Sequence, residues 1–181
     1  MVWPPMLRRS WQTGQMDDLA GRLRDAGTAL LGLRGPLVAA EPWPLSIAWG
    51  TEPEADWGPR EVLAHLNEML PYWTAQLGDV LAGDSTTAVP FGRVATDSSR
   101  LRRIGEDRQK STGELLDEIE VGLGRAVAFT ARLSSAEGER RGLHSTRGEL
   151  TVGASVERFL VHHFEEHVDQ IRAILDRRPR A

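Results

Sequence analysis

Apolar residues recur at helical spacing in four blocks along the chain, and no block sustains a period-two alternation. The pattern predicts an all-α protein. The first block carries Met16, Leu19, Leu23, Ala26 and Leu30, and Gly32, Gly35 and Pro36 punctuate its end. Residues 35–58 then read as a Trp/Pro-rich loop. Trp43, Trp49 and Trp57 make it too aromatic for a solvated linker, so it is expected to fold onto the helices. The second helix opens in WGPREVLAHLNEML, with Pro59 in the tolerated first turn and Glu61 in the favoured acidic one, and ends near Gly83. Ser111 and Glu114 stand at capping-box spacing ahead of Leu116, Ile119, Leu123, Ala126, Thr130 and Leu133. Residues 97–109 are a candidate short helix. The last helix follows Gly148, with Thr151 as N-cap, and runs through Val156, Leu160, Ile171 and Ile174. The economical architecture is one four-helix-bundle domain over residues 1–181, with an N-terminal extension at 1–15.

The stretch VHHFEEHVDQI, residues 161–171, places candidate chemistry on that last helix. His163 and His167 are one turn apart and fall on the stripe of Val156, Leu160, Ile171 and Ile174 that must face the core. His162 is rotated to the flank. On the second helix His65 shares a face with Val62, Met69 and Tyr72 and leans inward too, whereas His144 lies outside the helices. One inward histidine usually fills the core in its neutral form. Several together would be costly to bury unless a divalent cation satisfies them at once. Spacing by itself leaves both readings open. Ferritin-like di-iron sites are excluded because Leu160, Phe164 and Val62 stand where glutamates are needed, and HExxH fails because Phe164 follows His163. HFEEH matches HxxEH, but little sequence follows His167 to supply the further ligand of that pattern.

Composition narrows the classes. The 181 residues are 40% hydrophobic and 27% charged with net charge -4, as expected for a folded domain with a sizeable core. No apolar run approaches the ~20 residues that cross a bilayer, and MVWPPMLRRSW lacks the features of a secretory signal, so a cytoplasmic location is expected. Basic and acidic residues are interspersed, which argues against nucleic acid as a partner. The tail Arg177, Arg178 and Arg180 reads as solvated cations at a helix end. There is no cysteine. Any thiol chemistry must therefore use an outside thiol.

Depth along the helices tests whether three histidines can meet. His65 lies six residues from Pro59, roughly 9 Å at ~1.5 Å per residue, and His167 lies about as far from the end of its own helix. The sites coincide only if the second and last helices are antiparallel, which a plain up-down-up-down order forbids. One connection must cross over. GDSTTAVPFGRVAT, residues 83–96, reaches up to ~46 Å when extended, enough for that role. The implied order is up-down-down-up.

Taken together, WGPREVLAHL, GELTV and HHFEEHVDQI resemble the DinB/YfiT-like metal-binding superfamily over about Met16 to Leu175. The resemblance implies a four-helix bundle of up-down-down-up order with a divalent metal on a second-helix histidine and an HxxxH pair, here His65, His163 and His167. It also implies relatives among thiol S-transferases that use bacillithiol and maleylpyruvate isomerases that use mycothiol, besides metal-dependent hydrolases; a homodimer is a separate expectation. Some members carry Glu where this chain has His163, a difference that bears on which thiol is used.

Three neutral imidazoles would leave a divalent ion at least one open position, the mark of a catalytic site. Zinc or nickel leads among the metals, with iron or cobalt as further candidates. An electrophilic small molecule is the expected substrate. Gln170 sits on the inward side, placed to orient a ligand or to cross-link helices. Glu68 and Tyr72 are candidates for a proton acceptor and a hydroxyl donor, and otherwise solvated or packed residues. Trp73 reads as core, and Trp49 or Trp57 as a roof over the pocket or as simple packing. Metal-assisted hydrolysis, and a metal-binding or dimerising module without turnover, remain as alternatives.

Overall fold

The computed structural model describes residues 11, 14–47, 49–50, 54–84 and 86–177. Most of the expected N-terminal extension, and Arg178 and Arg180, lie outside the described residues. Among the described residues the chain is mostly helical, with one small sheet. Its helices are α1 (Gln15–Gly32), α2 (Arg34–Ala39), α3 (Pro59–Ala82), α4 (Ser98–Asp107), α5 (Thr112–Ala131), α6 (Ser135–Gly138), α7 (Val152–Ser155) and α8 (His163–Asp176). A 3₁₀ turn spans Glu54–Asp56, and a π-helical stretch, Val156–His162, joins α7 to α8.

The helix signals act locally as their chemistry requires. Ser111 and Glu114 close a reciprocal capping box on α5, Pro59 starts α3, and the Thr151 hydroxyl accepts from the backbone N–H of Ala154 to cap α7. One breaker acts differently. Gly35 and Pro36 were expected in the loop, but they fall in the first turn of α2, where a proline forfeits only a hydrogen bond that is unmade anyway.

Both α1 and α3 pack against α5 and against α8. Their shared core holds Leu23, Leu30, Leu63, Leu66, Met69, Leu70, Leu116, Ile119 and Phe164, all fully buried. The Trp-rich loop does fold onto this body. Trp43 Nε1 donates to the carbonyl of Leu37 at 2.9 Å, and Ser46 N donates to the fully buried Glu61 carboxylate at 3.0 Å.

The mostly helical chain is roughly consistent with the all-α expectation, and strands β1 (Val89–Phe91), β2 (Arg141–His144) and β3 (Gly148–Thr151) add a small sheet to it. β1 runs parallel to β2, with Phe91 opposite His144, and β2 runs antiparallel to β3. β2 escapes a hydrophobicity reading because its buried positions are Gly142 and His144 while Leu143 is exposed. Gly142 is required there, since a Cβ would come within 2.6 Å of the Phe91 ring. The π-helical stretch is a correction, because uniform α-helix was expected from Thr151 onward; such widened turns often adjoin functional sites.

Candidate metal centre

Four side chains from three separate segments converge at the end of α3 that adjoins the Trp-rich loop. His65 comes from α3, His163 and His167 from α8, and Glu54 from the 3₁₀ turn; one ligand atom of each lies within 4.8 Å of all the others. Nε2 of His163 stands 2.9 Å from Nε2 of His65 and 3.3 Å from Nε2 of His167. Glu54 Oε2 lies 3.8, 3.9 and 3.6 Å from Nε2 of His65, His163 and His167. Ligands ~2.0–2.1 Å from a tetrahedral zinc ion are separated by ~3.4 Å, so this set needs only small shifts to hold a divalent cation.

Oxygens stand behind the other nitrogen of His163 and His167, whereas the group within hydrogen-bond distance of Nδ1 of His65 is the Arg100 guanidinium, a donor, at 3.4 Å. Glu68 Oε2 lies 3.9 Å from Nδ1 of His65, Glu166 Oε2 lies 3.6 Å from Nδ1 of His163, and Gln170 Oε1 lies 2.8 Å from Nδ1 of His167. For His163 and His167 a proton on Nδ1 leaves the lone pair on Nε2, the atom each ring turns toward the common centre. Burial lowers the pKa of His65 well below the ordinary imidazole value, and the His167, His163 and Arg100 charges add to it. Burial lowers that of His163 as well. Burial would raise the Glu54 carboxyl, but nearby His167 and the Arg100 guanidinium outweigh it and hold it down at about 2. His65 and His163 are thus held neutral beside an ionised carboxylate, the forms that bind metal.

Second contacts fix the cluster. Arg100 ion-pairs with Glu54 and donates to the carbonyl of Ala95 at 2.8 Å. Gln170 Nε2 donates to the carbonyl of Glu54 at 2.9 Å, tying α8 to the 3₁₀ turn. Gln170 thus both orients a histidine and cross-links two segments. Glu68, expected to be solvated if it had no catalytic role, is buried and ion-paired with Arg93; burial raises its pKa against that pairing. One of its oxygens, Oε2, has no hydrogen-bond partner. Tyr72 stands a layer further out, with the Arg93 guanidinium 3.5 Å from its ring centre and its hydroxyl 3.5 Å from Gln76 Oε1.

A cavity of about 600 Å³ opens onto Glu54, His65 and His163, so the cluster is reached from outside. Trp73 is buried as expected and also lines this cavity. Neither Trp49 nor Trp57 does. Trp57 packs edge-on to His65 with ring centres 6.0 Å apart, and Trp49 lies under Arg108. His144, placed by its sequence distance out of reach of the histidines, lines the same cavity because the short hairpin folds it back; it is outside the four-residue cluster.

Glu54 escaped the sequence reading. It sits in an aperiodic loop, where no spacing links it to a face, and the one available signal was an acidic residue in the aromatic loop that leads into the His65 helix. No protein-family model, curated protein or solved structure matches this chain.

Proposed function

We propose that this protein is a divalent-metal-dependent enzyme of the DinB-like kind, a four-helix bundle of up-down-down-up order, that transfers a low-molecular-weight thiol to an electrophilic small molecule. The observation that carries the reading is the convergence of three imidazole Nε2 atoms on one point beside an ionised carboxylate. Structural core histidines have no need of that convergence. Antiparallel second and last helices, inferred from the depths of His65 and His167, support the bundle order.

His65, His163 and His167 would hold the ion with Glu54 as a fourth donor, so a thiol would have to displace Glu54 or enter as a fifth ligand. Glu54 is too acidic, at about 2, to serve as a base near neutrality. A bound zinc, nickel, iron or cobalt ion would supply Lewis acidity, favouring the ionised form of a thiol brought to it. With no cysteine in the chain, the thiol comes from outside, and bacillithiol and mycothiol are the proposed co-substrates. The cavity beside Glu54, His65 and His163 admits it together with the electrophile. Gln170 positions His167, Glu68 holds Arg93 by an ion pair, and Tyr72 supports Arg93 through its ring.

Cobalt-loaded protein tests the reading. Its visible spectrum should shift when mycothiol or bacillithiol is added, and thioether formation with an aryl halide or epoxide should cease on chelation. Absence of both across a panel that includes glutathione and cysteine would rule out thiol transfer. Metal-dependent hydrolysis without thiol preference would replace it.

A further inference from the structure

His144 lines the cavity but stands outside the metal-binding cluster, and its ring is held in one orientation. Trp73 and Phe159 lie nearly parallel to it, with ring centres 6.0 and 5.1 Å away and planes at 23° and 19°, and Phe91 meets it edge-on at 5.3 Å. This packing leaves the residue 4% exposed, so only an edge of the ring can meet a molecule that enters. The backbone N–H of Thr146 stands 3.2 Å from Nδ1. A backbone N–H can only donate, so Nδ1 accepts and the neutral ring carries its proton on Nε2, the reverse of the tautomer set for His163 and His167. Burial, the chief cause of a lowered His144 pKa, favours the neutral ring. Nε2 makes no hydrogen bond among the described residues, and it is not one of the sealed side-chain atoms without a partner, which belong to Glu61, Glu68 and Arg108. It therefore keeps access to the cavity that the residue lines. Gly92 leaves room beside it, since a Cβ there would come within 2.6 Å of Nε2. A rigidly held N–H that nothing in the chain accepts calls for an acceptor from outside.

We infer that His144 is a ligand-binding residue of this cavity, donating from Nε2 to a carbonyl or ether oxygen of the small molecule that also reaches His65 and His163. The inference deepens the proposed function and rests on it for naming that molecule as the electrophile; the hydrogen bond itself needs no metal. A few fixed polar groups in an otherwise packed wall are how small-molecule sites set orientation and specificity. The substrate class narrows accordingly, from electrophiles in general to those that carry such an oxygen, epoxides among them.

A matched pair of probes tests this on the full chain. Acetophenone and α-methylstyrene are nearly the same shape, one presenting a carbonyl oxygen where the other presents a methylene group. By calorimetry, the affinity ratio of acetophenone to α-methylstyrene should fall about three- to tenfold in His144→Phe, the scale of one hydrogen bond, in zinc-loaded and in chelated protein alike. Phenylalanine keeps an aromatic ring in the packing and removes the donor. Wild-type protein with labelled histidines gives a reading that does not depend on the variant folding. Its proton–nitrogen correlation spectra should show His144 as the Nε2–H tautomer, and the Nε2 signal should move further with acetophenone than with α-methylstyrene. A His144 protonated on Nδ1 alone, equal responses to the two probes, or a ratio unchanged in a folded His144→Phe variant would overturn the inference. Failure of the metal reading would appear separately, as absent zinc binding with the acetophenone response intact.

Discussion

Gln170 determines which nitrogen of His167 faces the metal centre. Its Nε2 must point to the carbonyl of Glu54, an obligate acceptor, 2.9 Å away, so its Oε1 is the atom that meets Nδ1 of His167 at 2.8 Å. Nδ1 therefore carries the proton and Nε2 the lone pair. Replacing Gln170 with Leu should lower metal affinity by about 10- to 100-fold, the usual effect of losing a partner behind a ligating histidine. Competition against a chromophoric chelator measures it. Gln170→Glu, which keeps the acceptor and loses the donor, should fall between; an unchanged affinity in the Leu variant would remove the positioning role.

His65→Ala, His163→Ala, His167→Ala and Glu54→Ala should each reduce bound metal below one equivalent, with Glu54→Ala the mildest because three imidazoles remain. His162→Ala and His144→Ala should retain full stoichiometry. His162 is half-exposed on the flank beside Glu166, and His144 lines the cavity without joining the cluster. Metal analysis after gel filtration decides the point. Full loading of the His163→Ala, His167→Ala double variant would sink the ligand assignment.

The metal-free protein should lose thermal stability as pH falls from about 7.5 to about 5.5. His65, His163 and His144 all have folded pKa values lowered chiefly by burial, so below the ordinary imidazole value the unfolded chain takes up protons that the folded chain refuses. Stability then declines with falling pH. Glu54, held at about 2, stays ionised across this window, while Glu68, raised by burial, works in the opposite direction as a single group against three. Melting temperatures by circular dichroism across the window test the sign, and a flat or rising midpoint on acidification would contradict it.

Gly27→Ala should destabilise the fold although alanine is the better helix former by ~1 kcal/mol. An added Cβ would come within 1.9 Å of Leu123 Cδ2, where α1 packs on α5, and Leu123 must leave its rotamer to make room. Overpacking of this kind costs roughly 1–3 kcal/mol, which leaves a net loss of up to ~2 kcal/mol. Urea denaturation measures it. Gly21→Ala, where a Cβ meets nothing within 4 Å, is the paired control and should stabilise.

Local chemistry made much of this protein legible from its residues. Capping pairs such as Ser111 with Glu114 act between near neighbours, so they mark helix ends whatever the tertiary fold. The same holds for the inward face of His65, His163 and His167, because 3.6-residue periodicity puts a side chain on the buried stripe of its own helix. Gln170, one turn past His167, was legible for that reason as well. Tertiary structure alone decided the fourth ligand. Glu54 reaches the histidines only because Gln170 and Arg100 pin an aperiodic turn against α8 and α4, and no spacing rule spans such contacts. It also decided the cavity wall, where a strand whose buried positions are glycine and histidine folds His144 back beside Trp73 and Phe159. Periodicity reports which way a residue faces from its own element. What it faces depends on long-range packing, and that is a property of the folded chain.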